Sequence, residues 1–143
     1  MELSANIEQL LPHAPPMVLL DSIIEHSETH ILCQSNSHLA PDNPLRTGDT
    51  LSVYAGIEYA AQAMAVHTRL SGQNTADAAP RKGVIAVASK LQAAVKTLDA
   101  IHYPLDIRTD IIAQTADSTL CSFTLEAKGT VILQGQLTAM LVA

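Results

Sequence analysis

The pattern of apolar and polar positions changes period several times along the chain. Residues 4–11 read as a short helix with Ser4 as its N-cap, ended by Pro12, Pro15 and Pro16. Residues 17–24 and 29–35 are apolar runs rich in β-branched side chains, and His26, Ser27 and Glu28 between them predict a hairpin turn. Residues 37–48 hold Pro41, Asp42, Asn43, Pro44 and Gly48, the chemistry of a loop. The stretch 51–70 predicts the clearest helix. Ile57, Ala60, Ala61, Met64 and Ala65 fall at i, i+3, i+4, i+7 and i+8, one face of a 3.6-residue period. Asp49 and Thr50 are its cap candidates. Alanine dominates that face and Gly56 sits near its start, so the helix can lie close against a flat surface such as a sheet. Residues 71–82 are polar and read as a loop.

Everything after Gly83 has the pattern of strands. Residues 84–89 form a short apolar run. From Leu105 the alternation is clean, with Leu105, Ile107, Thr109 and Ile111 set against Asp106, Arg108 and Asp110. Cys121, Phe123, Leu125 and Ala127 share one side of a strand over 120–127, and a last strand runs over 131–142. Short turns at 115–118 and at Lys128-Gly129 make these strands an antiparallel meander. A hairpin, a loop, one helix, a loop and a run of strands predict an α+β domain: a curved antiparallel sheet whose concave face is covered by the helix.

Composition narrows the classes of function. The 143 residues suit one domain spanning 1–143, and 48% hydrophobic with 15% charged residues is far from a disordered composition. Four aromatic residues (Phe123, Tyr54, Tyr59, Tyr103) and no Trp argue against a base-stacking platform for single-stranded nucleic acid. A net charge of −6 with 8 Lys+Arg argues against a phosphate-backbone binder. So few charges at this apolar content also suit a chain that covers part of its surface with another subunit. Cys33 and Cys121 have no metal or disulfide spacing and read as reduced thiols. The N-terminus has no signal-peptide pattern and no apolar stretch reaches the ~20 residues of a membrane helix, so a cytoplasmic protein is expected. A nucleophile elbow, a glycine-rich phosphate loop and zinc-spaced ligands are all absent from the sequence. Neither a metal nor another cofactor is expected.

Two motifs carry a resemblance. The first is Leu11-Pro12-His13-Ala14-Pro15-Pro16-Met17-Val18-Leu19-Leu20-Asp21, and the second is Gly56-Ile57-Glu58-Tyr59-Ala60-Ala61-Gln62-Ala63. In this order the chain resembles the β-hydroxyacyl-[acyl carrier protein] dehydratases of the FabZ type. Within them it resembles most the ApeP-like proteins of aryl polyene clusters. The resemblance implies a hotdog fold and a subunit that pairs into a dimer. It also implies dehydration of a (3R)-hydroxyacyl thioester on an acyl carrier protein to the trans-2-enoyl thioester. In that family a His acts as base on the α-carbon and a Glu or Asp as acid toward the leaving hydroxyl, the two coming from different protomers. Helix N-terminal amides hold the thioester carbonyl. The chain departs from the family at one place. The Gly-His-Phe-Pro segment that carries the catalytic His is missing, and the nearest stretch, Arg46-Thr47-Gly48-Asp49-Thr50-Leu51, has Asp49 where the His belongs.

Glu58 is therefore the leading catalytic candidate. A carboxyl in the second turn of an apolar helix is expected to be buried, which raises its proton affinity toward that of a general acid; a solvated acid at a helix start is the plainer reading. Gln62 lies one turn on, either orienting the site or simply bonding backbone groups as a buried amide. Gly56, Tyr59, Arg81 and Lys82 are the other candidates for substrate binding. Tyr59 and Tyr54 either line an acyl tunnel or pack. Arg81 and Lys82, with Arg69, are cations that could meet an acidic carrier protein. Among the histidines, His13 is a weaker candidate base, since the family motif gives its position a structural role. His67 is nine residues past Glu58 and faces half a turn away, a surface or interface residue. His38 sits in a loop without a motif, Asp49 is a weak base and a likelier cap, His26 and His30 flank the turn in solvent, and His102 carries no distinct signal. Two rivals to a self-sufficient dehydratase follow. One is a half-catalytic subunit that pairs with a His-bearing hotdog partner, and the other is a hotdog thioesterase.

Overall fold

The computed structural model describes Ile7 and residues 17–70 and 82–142. Six strands form one antiparallel sheet: β1 (Ser22–His26), β2 (His30–Ser35), β3 (Lys82–Ala93), β4 (Leu105–Gln114), β5 (Ser118–Ala127) and β6 (Thr130–Val142). Their order is β1-β2-β4-β5-β6-β3. The meander predicted from the alternation is β4-β5-β6, and β3 lies outside it against β6. The turn Lys128-Gly129 has φ of 53° and 80°, the left-handed pair that a two-residue hairpin requires.

The helix α1 (Gly56–Leu70) packs on β2, β4, β5, β6 and β3. Five neighbouring strands span about 19 Å at their usual spacing, while a helix with its side chains is only about 10–12 Å wide. One helix can touch all five only if the sheet curls around it. Accordingly none of the 15 residues of α1 is exposed. Gly56 makes the closest approach: a Cβ there would stand 2.7 Å from Leu125 Cδ2 and 2.9 Å from Leu133 Cδ2.

Several boundaries differ from the sequence expectations. The first strand begins at Ser22 and not at Met17, and a bulge between Ile23 and Glu25 shortens its pairing. The strand after the polar loop runs over twelve residues where the apolar run suggested six. The helix begins at Gly56, because Val53–Ala55 form a 3-10 turn capped by Ser52, whose Oγ accepts from the Tyr54 N–H. Asp49 and Thr50 are exposed in the preceding loop and do not cap it. The buried face of α1 holds Gly56, Tyr59, Ala60, Gln62, Ala63, Met64, Val66 and His67, about one residue (~100°) round from the expected face. Three of those, Tyr59, Gln62 and His67, are polar, and none belonged to the apolar pattern that set the expected face. Of the leading segment only Ile7 is described, helical and fully buried; the other expected helix residues, the prolines that follow and the loop over 71–81 lie outside the described residues. Cys33 and Cys121 are buried free thiols, both pushed up to about 12 by desolvation, which keeps them protonated and unreactive.

Gly135 on β6 faces Phe123 of β5 across the sheet. A Cβ there would meet Leu91 Cδ2 at 2.7 Å, the Ser89 carbonyl oxygen at 2.9 Å and Phe123 Cε1 at 3.1 Å. The leucine can swing aside but the backbone oxygen cannot, and β3 already bends there through Lys90 at a φ of 54°. Gly135→Ala is expected to cost about 1–3 kcal/mol by overpacking, read as a lower urea midpoint at unchanged slope. A midpoint equal to that of the parent would remove the close approach.

Candidate functional site

Glu58 lies in the first turn of α1, one turn earlier than expected, and is half-buried rather than enclosed. The start of the helix is fixed from below. Leu51 N–H donates to Asp99 Oδ1 at 2.8 Å, Leu98 N–H to the Leu51 carbonyl at 2.7 Å, and Val53 N–H to the Lys96 carbonyl at 3.0 Å. The bond from Leu51 holds the Asp99 carboxyl below the usual carboxylate range. At an angular step of about 100° per residue, Glu58 points away from Ala60, Ala63 and His67, the residues buried against the sheet.

The side of α1 next to Glu58 is built by Tyr59 and Gln62. Gln62 is fully buried, and its amide bonds one stretch of backbone twice: Nε2 donates to the Met17 carbonyl at 2.6 Å, and Leu19 N–H donates to Oε1 at 2.9 Å. The Leu19 carbonyl in turn accepts from the hydroxyls of Ser35 and Ser37. Ser37 Oγ meets Tyr59 OH at 2.7 Å, and Asn43 Nδ2 donates to the same Tyr59 oxygen at 3.1 Å and to the Ser37 carbonyl at 2.9 Å. Asn43 Oδ1 accepts from Leu45 N–H at 2.9 Å. Residues 17–20 thus carry strand-like sequence, but Met17 and Leu19 are held by side chains, and the backbone bonding to β2 starts at Asp21, whose N–H donates to the Gln34 carbonyl at 3.0 Å. Burial raises the Tyr59 phenol, so it stays protonated and can donate.

The candidates separate accordingly. Gln62 and Tyr59 have their polar groups committed to this network, while Tyr54 is more than half exposed. Gly56 supplies closeness to the sheet, and its own N–H is directed at the carbonyls of Val53 and Tyr54. Lys82 opens β3, Arg69 is half-buried in the last turn of α1, and Arg81 and His13 lie outside the described residues. Ser35, Ser37 and Asn43 were not among the candidate site residues, and Asn43 was read only as loop chemistry. The signal for Ser35 was its place at i+2 and i+4 from the inward-facing Cys33 and Ile31.

The described histidines are each accounted for. His67 is buried, not at a surface, and its Nε2 contacts the Ser27 carbonyl at 2.7 Å. His38 is fully buried with Nε2 on the Ile101 carbonyl at 2.9 Å. Burial lowers the proton affinity of both rings. His30 is half-buried beside Ser27 and Glu25, not solvated, whereas His26 and His102 are exposed. Among the described residues no group of three or more His, Cys, Asp or Glu could hold a metal ion. No helix among them is long and apolar enough to cross a membrane.

Comparisons with known proteins agree with this architecture. The sequence model of the ApeP-like family, described as ApeP dehydratase, matches residues 5–142. The dehydratase heterocomplex ApeI:P of Xenorhabdus doucetiae superposes with a TM-score of 0.84 at 25% identity, over 96% of this chain and 91% of that one. A thioesterase of Pseudomonas aeruginosa superposes with a TM-score of 0.63 at 11% identity, over 97% and 93% of the two chains. A hypothetical thioesterase of Streptococcus pneumoniae, solved with coenzyme A, gives 0.59 at 12% identity over 85% and 84%. At such low identities the two thioesterases show the fold alone, which is the hotdog fold. No curated protein matches the chain in sequence.

Proposed function

The chain belongs to the ApeP-like dehydratase family, and on that premise we propose that it is one half of a heteromeric dehydratase for (3R)-hydroxyacyl thioesters on an acyl carrier protein. It contributes the acid, Glu58, and a second hotdog subunit contributes the base. The observation that carries this reading is the fate of the described histidines, which do not include His13; His102 is exposed. His38 and His67 are buried with a ring nitrogen on a backbone carbonyl, and His26 and His30 belong to the β1–β2 turn. His67, whose contact fixes that turn against α1, is nine residues from Glu58, about 13.5 Å along the axis and on the opposite side. Asp49, which stands where the family's His belongs, is exposed. The similarity to a dehydratase heterocomplex supports a partner of the same fold.

In the proposed reaction the partner's base removes the α-proton of the thioester. Glu58, protonated, delivers its proton to the C3 hydroxyl, the C3–O bond breaks, and water leaves as the C2–C3 double bond forms. Proton exchange then returns the acid and the base to their starting states. Neither half suffices, since general acid and general base assistance each supply about 10²–10⁴-fold.

The test is complementation. The purified chain alone is expected to leave a 3-hydroxyacyl thioester on its carrier protein unchanged. The chain co-purified with a His-bearing hotdog dehydratase subunit is expected to produce the enoyl absorbance. Fast turnover by the chain alone would overturn the divided site, and release of free thiol in place of enoyl product would identify a thioesterase.

A further inference from the structure

Three histidines converge where the β1–β2 turn meets the last turn of α1, and the proposed reaction uses none of them. Ser27 is the hub. Its carbonyl takes His67 Nε2 at 2.7 Å, its Oγ lies 2.7 Å from His30 Nδ1, and its N–H donates to the His30 carbonyl at 2.9 Å. His30 Nε2 is 3.4 Å from Glu25 Oε1. His26 stands immediately before Ser27. The turn is tied to the rest of the sheet by the bond from Ile111 N–H to the Thr29 carbonyl, 2.8 Å. We propose that this cluster is an acid-release latch: neutral His67 pins the β1–β2 turn to the end of α1, and a proton taken up by the undocked His67 ring holds the turn free.

The geometry supplies the mechanism. His67 is 2% exposed, so a charged ring there loses its hydration. The nearest rings, His26 and His30, oppose a further positive charge beside them. Around the latch stand Glu25 and His26 on β1, Glu28 in the turn, His30 on β2, Asp110 and Arg108 on β4, and Arg69 on α1 itself. Asp110 is the counterweight that favours a charged His67, but its carboxylate is held bidentately by Arg108 at 2.9 and 3.0 Å. Burial is the larger effect and holds His67 below the ordinary histidine value of 6.5. Above 6.5 the ring is neutral whether the turn is docked or free, and the latch keeps its full strength. Below 6.5 a freed ring binds a proton that the docked ring refuses, so opening grows more favourable as pH falls toward the lowered value. β1 is the element placed to respond, being a five-residue strand with a bulge and, among the described residues, only β2 beside it.

A freed ring at the ordinary value of 6.5 gives the open turn an advantage of at most about tenfold at pH 5.5, the limit reached when the docked ring stays neutral. Hydrogen exchange on the full chain at pH 7.5 and 5.5, with intrinsic rates corrected, should therefore show protection at Ser27 and Ile111 falling more than at Phe123 in β5, by up to about tenfold. His67→Gln should abolish that difference, and His26→Gln with His30→Gln should shrink it. His38→Gln should leave it in place, which separates the latch from general acid unfolding through the other buried ring. Equal loss at all sites, or an unchanged local loss in His67→Gln, overturns the latch. If His67→Gln does not fold, the imidazole signal of His67 in the parent chain decides: a titration midpoint at or above 6.5 overturns the proposal, and one below it supports it.

Discussion

Glu58→Gln is expected to lower enoyl-thioester formation by the assembled heteromer about 10²–10⁴-fold, the range that general acid catalysis contributes. The substitution keeps the shape of the side chain and removes its titrating proton. Glu58 lies on the side of α1 turned from the sheet, half-buried, so an amide of the same size need not disturb the packing of Tyr59, Ala60 and Ala63 below it. Circular dichroism and co-purification with the partner subunit should therefore be unchanged. Glu58→Asp shortens the reach by one methylene, about 1.5 Å, and should recover only part of the rate, because proton transfer needs the acid within about 2.6–3.2 Å of the leaving oxygen. Parent-like turnover by the Glu58→Gln heteromer would sink the assignment and move the acid to the partner subunit. A loss of co-purification would instead make Glu58 an interface residue.

How far the sequence could be read depended on whether burial and polarity coincided. In β4 and β5 they did. Leu105, Ile107, Thr109, Cys121, Phe123, Leu125 and Ala127 are all buried, at the alternate positions where the sequence placed them. A half-buried strand announces itself by its period, and both boundaries came within a few residues. In α1 they did not coincide. Tyr59, Gln62 and His67 are polar by composition yet at most 2% exposed, each satisfied by a partner distant in sequence: Ser37 and Asn43, Met17 and Leu19, and Ser27. No local pattern reports such partners, so the apolar count rotated the helix toward Ile57, Ala61 and Ala65. The same cause misplaced the first strand. Residues 17–20 have strand composition, but Met17 and Leu19 pair with side chains, which a β-propensity cannot distinguish from a ladder. For the site, Glu58 was legible as an acid in an alanine-rich helix, but one turn too far from its start. Backbone bonding by Gln62 was one of two readings left open, and both ends of its amide are bonded to backbone groups.

The network around Gln62 carries the largest expected change in stability. Gln62→Leu keeps much of the volume but removes both amide bonds, leaving the Met17 carbonyl and the Leu19 N–H facing an apolar side chain. An orphaned buried group costs about 1–3 kcal/mol; the Leu19 N–H is buried and the Met17 carbonyl half-buried, so the variant should lose about 1–5 kcal/mol in a urea titration, a large share of the 5–15 kcal/mol typical of a domain. The complementary variant tests the directions of the bonds. In Gln62→Glu, an ionised carboxylate can still accept from Leu19 N–H but presents a second acceptor to the Met17 carbonyl, 2.6 Å away in the parent. Protonated, it donates there as the amide does. The folded chain thus binds this proton more tightly than the unfolded chain. By linkage the deficit relative to the parent is greatest above the raised value, and it narrows as pH falls from there to the ordinary carboxyl range. Measuring both chains at each pH cancels the acid response of His38 and His67, which the two share. A substrate-binding Gln62 would behave otherwise: both variants would fold with nearly parental stability and fail in KM. A loss below 1 kcal/mol in Gln62→Leu, or a deficit in Gln62→Glu that does not narrow toward acid, would remove the clamp. Residues 17–21 would then need another anchor on α1.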